Sequence, residues 1–158
     1  MVYTQYADGS GAVITSEQYP IGSQDPLEGV PELVGKDRDE AWRSYYAGIF
    51  KGAALLGRAA LELSVKLLGA PGSKLRAQID NLADAGVITK KLAEWAHEVR
   101  ATGNEAAHEM ADVTLEDADA ALAFLDSFLE DVYVMPHKHQ LRQEARAARQ
   151  QAEADETL

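Results

Sequence analysis

The chain has 158 residues, with 15 Lys and Arg against 26 Asp and Glu, and no cysteine. A formal charge of −11 repels phosphate backbones, which excludes a broad basic nucleic-acid groove as the main feature and leaves room only for a small local phosphate site. The absence of cysteine removes disulfides, thiolate zinc sites and thiol nucleophiles together, and fits a reducing compartment.

Length alone suggests one domain with enough chain to bury a real core. The most apolar run, 47–68, is broken by Lys51, Arg58, Glu62 and Lys66, so no bilayer span is expected. Residues 1–6 show no basic region followed by an apolar core, and the expectation is a cytoplasmic protein without a membrane partner.

In chain order, residues 1–36 read as an N-terminal arm rich in Gly, Pro, Ser and Asp. Two short extended runs, 2–7 and 12–15, flank Asp8-Gly-Ser-Gly11, a turn signal that could close a small hairpin. Pro20, Pro26 and Pro31 then point to irregular chain. From Asp37 to Leu68 the pattern becomes helical, and the charges at Lys51, Arg58, Glu62 and Lys66 fall on one narrow stripe. A helix with so little polar surface is largely buried. Trp42, Tyr45, Tyr46 and Phe50 at helical spacing read as core or helix–helix contact rather than a base-stacking platform.

Ser73 is a candidate N-cap for a short helix through Leu75, Ile79 and Leu82, closed by Gly86. Thr89 is placed to cap the next helix, and Thr114 with Asp117 reads as a capping box for a helix through Leu122, Leu125 and Leu129. Pro136 reads as the end of the core, and residues 137–158 as a polar tail, either an exposed or fraying helix or a partner-binding segment. The fold class is therefore all-α: a bundle of about four main helices over 37–136, behind an irregular arm.

The run from Leu92 to Met110 is the most informative. With His97 at zero and about 100° per residue, Arg100 falls near −60°, Asn104 near −20° and His108 near +20°, while Leu92, Trp95, Val99, Ala106 and Met110 gather on the opposite side. A solvated polar face would look similar, but such faces usually carry Lys and Glu. Gly103 also costs ~1 kcal/mol against Ala in a helix interior, which points to a kink, a close approach, or a loop dividing two helices. Arg58 and Glu62 sit at the i, i+4 spacing of an intrahelical ion pair, and Arg58 is alternatively placed to orient the Asn104/His108 cluster.

The runs 53–62, 75–86 and 99–108, with Arg58/Glu62, Gly103-Asn104 and His108, resemble the bacterial family catalogued as domain of unknown function forty-one forty-five, found alone and in restriction-endonuclease-associated proteins. That family is similar to the HEPN superfamily of all-helical domains. The resemblance covers about residues 38–135 and implies a HEPN-like bundle that pairs as a homodimer, with its motifs facing each other. Active HEPN domains are metal-independent ribonucleases that use an Arg followed at once by a polar residue, often Asn, with a His four positions after it. Asn104 and His108 match the polar residue and the His, while Gly103 stands where the Arg is expected.

Two functions follow. The first is a non-catalytic interaction module of a bacterial or phage defence, restriction or mobile-element system, reaching a protein partner through arm or tail. The second is a ribonuclease with His108 as general acid/base, Asn104 as positioning group, and Arg100 or Arg58, or an Arg of a second chain, supplying positive charge. Within one unbroken helix Arg100 lies ~12 Å along the axis from His108, and side chains lean toward the N-terminus, so these two are poorly placed to grip one phosphate. Binding of RNA, a nucleotide or a small anion in the same polar cleft is the remaining reading, and His97 would line that cleft. No cofactor motif is present, and His137 and His139 on the polar tail read as solvated rather than as a metal pair.

Overall fold

The computed structural model describes residues 5–7, 13–15, 25–108 and 112–156. It is an all-α bundle with a small strand pair before it: β1 (Gln5–Ala7) and β2 (Val13–Thr15) run antiparallel with Tyr6 opposite Ile14. The expected turn at 8–11 and the chain at 16–24 lie outside the described residues.

Five helices pack together: α1 (Glu32–Tyr46), α2 (Phe50–Leu67), α3 (Leu75–Asp84), α4 (Lys90–Ala106) and α5 (Leu115–Leu129). The helical pattern of 37–68 is divided in two, with Gly48 at φ +75° turning the chain between α1 and α2. α1 also starts five residues before Asp37, behind Pro31, whose fixed φ suits a helix entry. α2 is the central helix and touches α1, α3, α4 and α5. Its Ala53, Ala54, Gly57 and Ala60 leave room for neighbouring backbones. Leu61 and Val65 from α2, Ile79 from α3, Val99 from α4 and Leu122, Leu125, Phe128 and Leu129 from α5 fill the fully buried core. Trp42, Tyr45, Tyr46 and Phe50 form one aromatic cluster, with ring centres 5.4–5.7 Å apart.

The capping signals divide. Thr89 Oγ1 accepts from Leu92 N at 3.1 Å, and Thr114 with Asp117 forms the full capping box, each donating to the other's side chain. Ser73 is not a cap: the N-cap of α3 is Lys74, with no side-chain hydrogen bond. Gly86, at φ +71°, does close α3.

Pro136 does not end the helical run. α5 passes through a π turn, Glu130–Val134, into α6 (Met135–Glu156). The Met135 N–H donates to Glu130 O, five residues back. A proline ring clashes with a carbonyl of the preceding α-turn and lacks the N–H to bond it; the wider π turn just before Pro136 takes up that misfit. Tyr133 in this turn donates its hydroxyl to Ser64 O at 3.1 Å and accepts from Ser64 Oγ at 3.3 Å, satisfying a buried serine of α2. Burial pushes the Tyr133 phenol above its ordinary value, against the opposing hydrogen bond from Ser64.

Candidate functional site

α2 and α4 run antiparallel and cross at Gly103. A Cβ at Gly103 would stand 2.4 Å from Arg58 Cβ, 2.8 Å from Arg58 Cδ and 3.0 Å from Ala54 O. The glycine is therefore not a loop: α4 continues through it to Ala106, and Arg58 and Ala54 of α2 lie close against it. Glycine is the residue this contact requires, because any side chain here would drive the two helices apart.

The same crossing gathers cations. Arg58 sits directly over Gly103, and Arg100 lies one turn back along α4. The Nε atoms of both arginines are buried and have no hydrogen-bond partner. A buried donor left unmade costs ~1–3 kcal/mol, so an acceptor at either Nε would be favourable. At the far end of the seam, Lys51 of α2 donates from Nζ to the backbone carbonyl of His108 at 2.7 Å. A cation there also suits the negative end of the α4 dipole. This contact joins residues 57 apart in the chain and had no local signal in the sequence.

Glu62 does not pair with Arg58. It lies 3.4 Å from Lys66 Nζ, the next i, i+4 cation along the same stripe, and Arg58 makes no ion pair among the described residues. Asn104 is half-buried beside Gly103. His108 lies past the C-cap Ala107, in a closing turn where its N–H donates to Glu105 O at 3.0 Å, and it is exposed. The helix, expected to run from Lys90 at least to Arg100, reaches Ala106, and Met110 lies outside the described residues.

His97 belongs to a different place. Its Nε2 is 2.8 Å from Asp80 Oδ1 of α3. The two line a cleft of about 460 Å³ with Asp84, Lys90 and Glu94. α3 thus covers the N-terminal half of the polar face of α4, leaving Arg100, Asn104 and His108 as its C-terminal half. No group of three or more His, Asp or Glu suited to a metal ion occurs among the described residues.

A second arginine site was not visible in the sequence. Arg38 of α1 is only 3% exposed; its Nε and Nη2 reach the two carboxylate oxygens of Asp126 on α5 at 2.6 and 2.9 Å. Trp42 Nε1 donates to the same carboxylate at 3.1 Å. Burial works against the Arg38 charge, but Asp126, with help from Asp39, outweighs it and holds the guanidinium above its ordinary value. This is a fully used, fork-like pair that ties α1 to α5.

A family model described as a domain of unknown function, DUF4145, matches residues 39–148. The chain belongs to the DUF4145 family. The match takes in all but the first seven residues of α1, all of α2–α5, the π turn and the first part of α6. No curated protein and no solved structure matches the chain. No helix among the described residues is long and apolar enough to cross a membrane.

Proposed function

We propose that this DUF4145 chain is a non-catalytic, HEPN-like interaction module of a bacterial or phage defence, restriction or mobile-element system, whose α2/α4 seam holds a phosphate group of RNA or a nucleotide without cutting it. One observation carries the reading: a side chain at Gly103 would collide with Arg58 Cβ, so there is no room for any larger residue at the position that the HEPN resemblance matches to the Arg of active domains. On this reading a helix contact stands where the catalytic cation would be. The exposed, extra-helical position of His108 also argues against a preorganised general acid/base. What remains is a cationic seam, Lys51, Arg58 and Arg100, on a chain of net charge −11.

The test is incubation of the purified protein with varied RNAs in EDTA, beside His108→Ala. No cleavage by either protein is expected, with RNA or nucleotide binding weakened by Arg58→Ala or Arg100→Ala. Metal-independent cutting that disappears in His108→Ala would overturn the reading. That result would establish the second one, a ribonuclease in which His108 and Asn104 work with Arg58, Arg100 or an Arg of a second chain. The unpartnered Nε atoms of Arg58 and Arg100 are the feature that favours it.

A further inference from the structure

α1 and α5 run antiparallel, and their polar contact comes in two rungs, about 10 Å apart along both helices. At the first, Asp126 accepts from Arg38 Nε and Nη2 and from the Trp42 indole N–H. Seven residues on along α1 stands Tyr45, and seven back along α5 stands Asp119. That is two helical turns on each, which returns both side chains to the same face. There the Tyr45 hydroxyl hydrogen-bonds the Asp119 carboxylate. The second rung thus repeats an aromatic donor and a carboxylate, but no ion pair to Asp119 forms among the described residues.

The second rung is open where the first is closed. Arg38 is 3% exposed, whereas Asp119 and Glu116 are exposed and Tyr45 is half-buried. Tyr46, 37% exposed, lies edge-on to Tyr45, with ring centres 5.4 Å apart. Burial first, then Asp119, raises the Tyr45 phenol above its ordinary value, and Glu116 acts in the same direction. Two carboxylate charges therefore reach this ring. The nearest cations along the chain are bonded elsewhere: Arg43 Nε donates to Asp39 O at 3.2 Å, and Lys51 Nζ to His108 O at 2.7 Å. A negative rim beside exposed aromatic rings attracts a cation, through charge and through the ring face. The chain makes such a contact itself, with Lys91 Nζ 5.2 Å over the Trp95 ring.

We infer that the second rung binds an arginine side chain of a basic partner protein, its guanidinium pairing with Asp119 and lying against Tyr45 and Tyr46. The partner completes this rung as Arg38 completes the first. Arginine fits better than lysine, because its flat fork meets a carboxylate through two N–H groups and stacks on a ring. Asp119 and Glu116 repel a phosphate backbone, so nucleic acid is not the occupant. A net charge of −11 steers a basic partner toward the chain, while the rings select where it docks. This surface does not depend on what the α2/α4 seam binds.

The test is two-dimensional NMR of the isotope-labelled full chain, titrated with a capped peptide of two arginines spaced by glycine. Its lysine and citrulline counterparts serve as comparison. The arginine peptide should shift the amides around 45–46 and 116–119 and bind most tightly, with lysine weaker and neutral citrulline not binding. Asp119→Asn and Tyr46→Leu should each weaken the arginine peptide about fivefold or more. Both positions are exposed, and Asp119→Asn changes no packing. Asp84→Asn, in the α3/α4 cleft, and Arg58→Ala, at the seam, should leave binding unchanged. Equal weakening by Asp84→Asn would mean diffuse attraction to an acidic protein, and would overturn the inference. So would lysine or citrulline binding as tightly as arginine, indifference to Asp119→Asn, or no arginine binding at all. Shifts at the same amides that grow with protein concentration alone would assign the surface to a second copy, and overturn it likewise.

Discussion

Arg38 and Arg58 are both drawn toward the bundle interior, yet their surroundings differ in kind. Arg38 has a carboxylate shaped to it: Asp126 takes two of its N–H groups, and Trp42 adds a third donor to the same carboxylate. Arg58 has a close neighbour but no acceptor for its Nε, and Arg100, one turn from the crossing, shares that condition. A guanidinium that is buried and completed in the chain holds helices together. One that is half-buried, with an Nε that has no partner, is held by the fold without being completed by it. The contrast separates scaffold from candidate site more sharply than residue type or charge does.

The largest effect should come from breaking the completed pair. Asp126→Ala leaves the Arg38 charge buried and unpaired, and loss of one partner of a buried pair costs about 3–5 kcal/mol. Urea unfolding should show that drop, whereas Arg58→Ala and Arg100→Ala should change stability by less than about 1 kcal/mol, because removing an unsatisfied donor forfeits no made bond. If Arg58→Ala destabilises as much as Asp126→Ala, the two arginines do the same work and the proposed distinction fails.

Gly103→Ala comes next. The added methyl meets Arg58 Cβ and the backbone carbonyl of Ala54, neither of which can swing aside as a side-chain tip could. Overpacking of this kind costs about 1–3 kcal/mol. Arg58→Gly in the same chain should recover part of the loss, since it removes the nearer of the two obstacles. A Gly103→Ala variant as stable as the parent would mean that the helices separate freely and that Gly103 is not a packing requirement.

These positions show what a single sequence can disclose. Thr89 and the Thr114/Asp117 box were legible because a cap and its target lie three residues apart, where local chemistry decides. Gly103 was legible only as an anomaly, since kink, loop and close approach all use glycine, and the choice among them is made by Arg58, 45 residues earlier in the chain. Arg58 and Glu62 looked like a pair because i, i+4 spacing permits it, but Lys66 offers Glu62 the same spacing in the other direction. Asp126 gave no hint of Arg38, 88 positions away. Pro136 does mark the end of the buried core, since Val134 is the last buried residue among those described and 138–154 are exposed, but the π turn that lets the helix run on past it has no comparable sequence mark. Of the expected polar row, Arg100 and Asn104 keep their places at the crossing, His97 is taken by Asp80, and His108 leaves the helix.

The smallest effect tests the same rule at a neutral side chain. Tyr133 and Ser64 complete each other where the π turn meets α2, so Tyr133→Phe removes made bonds and should cost about 0.5–1.5 kcal/mol. The linkage to pH has a definite sign. Burial raises the Tyr133 phenol in the folded state above its unfolded value near 10, so the folded chain holds that proton more tightly. Its contribution is fully present below the unfolded value and is lost as pH rises through the folded one. The parent protein should therefore lose stability above about pH 10 more steeply than Tyr133→Phe does, which thermal melts between pH 8 and pH 11 would register. Parallel curves for the two would mean that the hydroxyl is as free to ionise in the fold as in the unfolded chain, and that its bonds to Ser64 do not close this junction.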